Sequence, residues 1–267
     1  MIDRLDAAEA LAYRDMFAAA PAALARSLGL ETRELAGATL LIAPGIPAPE
    51  FNRVLGLGNG AAVSEAQLDA VAAAFRSAGV GSWWVQVSPA AHSSALIARL
   101  GARGFTPPKR RAWVKMSRGS DRPPAVACGA EVRAPRPGEL PALAEAVCAA
   151  FGMPAAIAPW LAALAARPGW RAAAAVLDGA VVGGGFLHLQ GETAWLGASG
   201  VRAAARGRHV HRALMALRIG QAIEAGCALV TTETGEPVGE EPNPSLRNMR
   251  ACGFSAAYSR LNYAAPA

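Results

Sequence analysis

The chain has 267 residues, 53% of them apolar, and 26 basic against 20 acidic side chains give a formal charge of +6. This length exceeds the common size of one domain, and two cores are expected rather than one. Apolar runs are short and alanine-rich, and the opening MIDRLDAAEALAYRD scatters its charges, so neither a signal peptide nor a membrane span is read from it.

In chain order, residues 6 to 27 predict a helix, followed by strands in LETRELAG, ATLLIAP and FNRVLGLG. A helix in SEAQLDAVAAAFRSAG, a strand in SWWVQVSP, a helix in SSALIARLGAR and a strand in FTPPKRRAWVKM complete the first half. Residues 119–129, within the Pro- and Gly-rich RGSDRPPAVACGAE, have no apolar period and read as a linker between domains at 1–118 and 130–267. Beyond it, AEVRAPR predicts a strand, and GELPALAEAVCAAF a helix with Leu140, Leu143, Val147 and Phe151 at helical spacing. A second helix includes Trp160 and Leu164. Strands at 171–177, 180–190 and 192–201 follow, and the short DG and GE connections make them an antiparallel meander. A long helix from His209 to Ala225 comes next, with Val210, Leu214, Leu217 and Ile223 toward one side and Gly226 as its stop. The strand ALVTTETG, the loop GEPVGEEPNP, the short helix SLRNMRAC and the strand FSAAYSRLNY close the chain. The mixture is α/β in content without a uniform βαβ repeat, an α+β arrangement of two domains, each a mostly antiparallel mixed sheet flanked by helices.

The two halves share this order. Ala78-Gly79 aligns with Ala225-Gly226, and Gly104-Phe105 with Gly253-Phe254, at a period of 147 to 149 residues. A spacing held over some 50 residues argues for duplication.

Arginine supplies 24 of the 26 positive charges and is spread along the chain; its tightest cluster, PPKRRAWVK, alternates like a strand with one solvated face. No recognition motif accompanies the charge, so no nucleic-acid partner is expected. Cys128, Cys148, Cys227 and Cys252 form no CxxC pair or zinc-like cluster. They read as buried free thiols of a reducing cytoplasm, with no bound metal.

The stretch RGRHVHRAL, Arg206 to Leu214, runs from a loop into a helix. A helix start offers unpaired backbone N–H groups and partial positive charge, which suits phosphate. Arg206 and Arg208 add full charges, and Gly207 lets the backbone approach closely. The first half has no such element: after FNRVLGLGNG it reads AAVSEAQLD.

With the strand–loop–helix–strand–helix–Gly-Phe–strand order around it, this element resembles the GNAT superfamily of acetyl-CoA-dependent N-acyltransferases. The whole chain resembles tandem-GNAT proteins with a degenerate first copy. The resemblance covers residues 130 to 267 well and 1 to 118 weakly. The family signature Q/R-x-x-G-x-G/A falls on Arg206, Gly207, Arg208, His209, Val210 and His211, so histidine replaces both later glycines. The resemblance implies that these residues hold the pyrophosphate of coenzyme A. It also places Ser199, Gly200 and Val201 against the pantetheine arm, and Asn243, Ser245 and Asn248 near its thiol end. Helix capping by Asn243 or Ser245 is an equal alternative. If the two histidines already belong to the helix they need only negative φ, and bulk at His211 is tolerated where the side chain faces solvent; protonated, either imidazole could instead donate to phosphate.

Acyl transfer to an amine requires a neutral amine and benefits from a proton for the departing thiolate. Glu233 is the expected base, with a plain surface carboxylate as the alternative. The tyrosine that many family members use as acid is replaced by Met249. Tyr258 and Tyr263 are possible donors, with ordinary strand packing as the other explanation. The expected activity is an acetyl-CoA-dependent N-acetyltransferase, a cytoplasmic monomer or homodimer acting on a small-molecule amine by direct attack in a ternary complex. A non-catalytic acyl-CoA-binding or regulatory protein is the alternative.

Overall fold

The computed structural model describes residues 1–90 and 92–266. The helix expected over 6–27 is two, α1 (Ile2–Ala18) and α2 (Ala22–Leu28). Pro21 stands between them with ψ of 135°, and a proline there has no N–H with which to continue the helical ladder. Next come β1 (Glu31–Leu35), β2 (Ala38–Ile42), β3 (Arg53–Leu55) and α3 (Glu65–Ser77), the last started by a reciprocal cap between Ser64 and Gln67. β4 (Trp84–Val87), α4 (Ser93–Ala102) and β5 (Ala112–Arg118) end the first half. The strand expected from Phe105 is confined to its second part, because Pro107 and Pro108 withhold ladder donors.

The second half begins with β6 (Glu131–Arg133), α5 (Leu140–Phe151) and α6 (Ala158–Ala163). The meander β7 (Trp170–Leu177), β8 (Ala180–Gln190) and β9 (Thr193–Val201) is followed by α7 (Val210–Glu224). β10 (Leu229–Gly235), α8 (Pro244–Ala251) and β11 (Ser255–Ala264) complete the chain. Among the described residues no helix is long and apolar enough to cross a membrane.

Among the described residues eleven strands form one continuous sheet, not one in each half as expected, in the order β1-β2-β3-β4-β11-β5-β10-β9-β8-β7-β6. Only β3 with β4 and β9 with β10 pair in parallel; the other neighbours are antiparallel. The order shows an exchange. β11, the last strand of the second half, lies against β4 of the first, while β5, the last strand of the first half, lies against β10 of the second. The exchanged strands pair with each other at the centre of the sheet.

Helices cover both faces. On one, α1, α5 and α6 enclose Trp160, Trp170 and Trp195, and the Trp160 indole N–H donates to the Met16 carbonyl at 2.6 Å. On the other, Met215 and Ile219 of α7 meet Leu196, Met249 and Phe254. The buried stripe of α7 is Val210, Ala213, Leu214, Met215, Arg218, Ile219 and Ala222. Leu217 and Ile223, expected on this side, lie at its edge, and an arginine occupies its middle.

Where α1 crosses the exchanged strands, a charged cluster is buried. Glu9 accepts from Arg53 and Arg260, each at 3.0 Å, and from Lys115 at 2.7 Å. Lys115 also donates to Glu233 at 2.8 Å, and Arg260 pairs with Asp6 at 3.4 Å. Three cations thus face three carboxylates. Burial alone raises the Glu9 pKa, but the charges of Arg260, Lys115 and Arg53 outweigh it and hold the carboxyl well below the usual range.

Candidate functional site

β9 and β10 are paired from Thr193/Leu229 to Trp195/Thr231, and the Thr232 hydroxyl donates to the Leu196 carbonyl at 2.8 Å. Past this point the ladder stops, although both strands continue. β9 also changes course: its pairing with β8 shifts register between Gly184/Gly200 and Phe186/Gly197, and Ala198 has a φ of 42°. This is a bulge, which turns the end of the strand away from regular pairing. Glycines make room around it. A Cβ on Gly200 would strike Ala150 of α5, and one on Gly184 would strike Leu143, so α5 sits directly on these strands.

A groove of about 560 Å³ opens where β9 leaves β10. Its walls include Ser199, Gly200 and Val201 from β9, the loop residues Arg206, Gly207 and His209, and Val210, His211 and Arg212 from α7. Ser245, Arg247 and Asn248 of α8 and Ala150 and Phe151 of α5 complete it. The structure therefore brings together most of the residues singled out by the sequence. Arg208 is exposed and outside the lining. Asn243 is also outside: its side chain accepts from the Leu246 amide and donates to the Gly235 carbonyl, so it caps α8.

The loop presents free donors. Among the described residues, none of the backbone N–H groups from Gly207 to Arg212 donates to a protein acceptor; the first amide to do so is Ala213, to His209. These unpaired donors stand at the positive end of a helix dipole. Arg206, Arg212 and Arg247 add charge to the walls, and the Nε of Arg212 is buried without a partner. An orphaned buried donor of this kind calls for an acceptor from outside the chain. No group of three His, Cys, Asp or Glu side chains able to hold a metal occurs among the described residues.

The two histidines differ from expectation. His209 is not helical: it precedes α7 with φ 59° and ψ 9°, the left-handed conformation in which glycine is at ease, and its side chain is exposed. His211 does not face solvent. Its ring turns toward α8, and the Nδ2 amide of Asn248 lies 3.2 Å from its Nδ1. Burial, reinforced by the charge of Arg218, pulls its pKa down to about 4. The imidazole is neutral at pH 7, with Nδ1 as acceptor for Asn248 and the proton left on Nε2.

Glu233 and Tyr258 belong to the charged cluster and do not line the groove. The Glu233 carboxylate accepts from Lys115 at 2.8 Å and from the Trp195 indole N–H at 3.0 and 3.1 Å, and its side chain is 5% exposed. Tyr258 donates to Asp6 at 2.6 Å, and burial together with that carboxylate raises its pKa. Met249 is buried in the core. No carboxylate lines the groove.

Arg212, Arg247, Ala150 and Phe151 escaped the sequence reading because nothing local marks them as facing one cavity. Arg218, buried next to Ser199, did leave a signal: a charged side chain on the apolar stripe of a helix.

The continuous sheet, the parallel pair that parts beside a helix N-terminus, and the repetition of this plan in both halves define a tandem GNAT fold. Solved structures share it. A GCN5-related N-acetyltransferase from Sphaerobacter thermophilus aligns over 90% of this chain and 84% of its own at 19% identity, with a TM-score of 0.64. One from Kribbella flavida aligns over 100% of this chain and 96% of its own at 13% identity and a TM-score of 0.65. A tandem GNAT protein from the clavulanic acid biosynthesis pathway aligns over 86% and 79% at 21% identity and a TM-score of 0.61. No protein-family model and no curated protein matches the sequence.

Proposed function

We propose that the chain is an acetyl-CoA-dependent N-acetyltransferase acting on a small-molecule amine. The observation that carries this reading is the row of unpaired amides from Gly207 to Arg212 facing a groove with Ser199 to Val201 on its other wall. The amides and the guanidinium groups of Arg206, Arg212 and Arg247 suit a diphosphate, and the glycine-rich end of β9 suits the close approach of a pantetheine arm. The GNAT fold of its structural neighbours, themselves N-acetyltransferases, supports the same assignment.

In the reaction the amine nitrogen attacks the thioester carbonyl, a C–N bond replaces the C–S bond, and the nitrogen's proton ends on the sulfur of free coenzyme A. With no carboxylate on the groove walls, and with His211 neutral and a weak base, the protein's contribution is to hold the two reactants together. The acceptor amine arrives in its neutral form, so kcat/KM follows the ionisation of the amine itself.

Calorimetric titration with acetyl-CoA tests the binding half of this reading. Arg206→Ala and Gly207→Glu each weaken the titration; a folded wild-type protein that takes up no ligand at near-millimolar concentration refutes it.

A second reading, a non-catalytic acyl-CoA-binding or regulatory protein, is favoured by the ion-paired Glu233, the Tyr258 hydroxyl engaged by Asp6, and Met249. It predicts the same titration with no turnover across a broad panel of amines.

A further inference from the structure

Arg218 is 1% exposed, and among the described residues no carboxylate offsets its charge. Burial lowers its pKa to about 10, which leaves it protonated at neutral pH. Its donors are used on four acceptors. Nε donates to the Leu214 carbonyl at 3.1 Å on its own helix, and Nη1 to the carbonyls of Phe186 at 3.0 Å and Gly197 at 3.3 Å. Nη2 donates to the Ser199 hydroxyl at 3.0 Å, and that hydroxyl in turn donates to the Gly184 carbonyl at 3.1 Å.

These acceptors bracket the bulge. Phe186 and Gly197 stand on one side of the register shift between β8 and β9, and Gly184 stands on the other. At this register shift the guanidinium fork gives carbonyls of both strands a donor. The notch it fills exists because residue 185 is glycine: a Cβ there would lie 2.8 Å from the Arg218 Cζ and 2.6 Å from the Ser199 Oγ. Fold stability alone does not call for a cation here, since an apolar side chain avoids the desolvation of a charge. What the cation secures is the course of β9 from Ser199 to Val201, the strand wall of the groove.

Resting on the coenzyme assignment above, we propose that Arg218 is a positioning residue for the pantetheine and thioester end of the groove. It acts through Ser199 and the Gly197 carbonyl by locking the β9 bulge. The loop from Arg206 to Arg212, which holds the nucleotide end in this reading, receives no hydrogen bond from Arg218; only the charge of the guanidinium is felt there, at His211. Arg218 therefore discriminates between the two parts of one ligand.

The test compares acetyl-CoA with adenosine 3′,5′-bisphosphate, which has the nucleotide and lacks the arm, on wild type, Arg218→Met and Arg218→Lys by calorimetry. Arg218→Met weakens acetyl-CoA about tenfold or more, the loss expected for charge-assisted hydrogen bonds, while the bisphosphate changes by less than about twofold. Arg218→Lys, with fewer donors and no planar fork, falls between for acetyl-CoA and matches wild type for the bisphosphate. Near-ultraviolet circular dichroism establishes that each variant is folded; if Arg218→Met is not, the lysine variant decides. Equal losses on both ligands, or undiminished acetyl-CoA binding, overturn the proposal. Wild-type protein that binds neither ligand removes the coenzyme assignment itself.

Discussion

Lys115 and Glu233 are cross-strand partners from opposite halves of the chain, with Nζ and Oε2 2.8 Å apart and side chains 0% and 5% exposed. Their counterparts, 147 residues away in each case, are Asn262 and Gln86, also cross-strand partners, whose amides bond at 2.9 Å. The strand exchange thus sets charge against charge and amide against amide. Returned to its own half, β11 would bring Asn262 opposite Glu233 and leave Lys115 opposite Gln86, so that the buried Glu233 would lose its counter-ion. Breaking a buried pair in this way costs about 3–5 kcal/mol, which favours the exchanged pairing.

The pair can be tested by substitution. Lys115→Asn strands the Glu233 carboxylate and removes one of the three cations from Glu9, and urea unfolding is expected to show a loss of about 3–5 kcal/mol. Adding Glu233→Gln recreates the pair already present at Gln86 and Asn262 and keeps the cluster balanced. The double variant recovers more than half of the loss; a double variant no more stable than the single one contradicts this account.

Neither half carries a complete sheet. Residues 130–267 alone leave β10 without β5 and β11 without β4. Exposed edges and buried charges without partners predict no cooperative thermal transition for this fragment. Mixing it with residues 1–118 restores one, measured by far-ultraviolet circular dichroism. A sharp, concentration-independent transition for the fragment alone is the contrary result.

His209 holds a left-handed conformation with its side chain exposed. That conformation costs a side-chain-bearing residue roughly 1–2 kcal/mol, against about 0.4–1 kcal/mol for the extra freedom glycine has in the unfolded chain. His209→Gly is therefore neutral to stabilising by up to about 1 kcal/mol, and His209→Val, β-branched, is destabilising. Chemical denaturation of the two variants in parallel reads the difference in sign.

His211 sets an acid limit on stability. Its folded pKa of about 4 lies below the ordinary value of 6.5, so the unfolded chain binds this proton more readily. The contribution is complete above pH 6.5, falls as pH drops through the window from 6.5 to about 4, and is lost below it. The whole effect amounts to about 3 kcal/mol at most. His211→Asn, which has no proton to gain, flattens stability against pH across this window; an unchanged slope refutes the assignment.

Much of this molecule is written locally. The strand order of the second half, the start of α7 after RGRH, the stop at Gly226 and the duplication follow from apolar period, turn residues and spacing, which depend on near neighbours. The same signals placed Ser199 to Val201, Arg206, Gly207, Ser245 and Asn248 on segments that the structure brings around one groove. They misplaced residues whose roles depend on distant partners. Asn243 is occupied by the cap of α8, Glu233 is held by a lysine 118 residues earlier, and Tyr258 by an aspartate 252 residues earlier. His209 was read as helical because sequence period locates a helix start only to within a residue or two, and one residue here separates left-handed from helical backbone.

By itself, the sequence determined the elements, their order and the loop whose amides are left free, since each of these arises from interactions a few residues apart. Only the tertiary structure decided which strand lies beside which, that two halves share one sheet, and where each buried charge finds its partner. β5 and β11 both serve as central strands of one continuous sheet, so their own pattern does not name a neighbour. Long-range pairing of polar side chains in the interior distinguishes the two neighbours, because a buried charge without its counter-ion is costly.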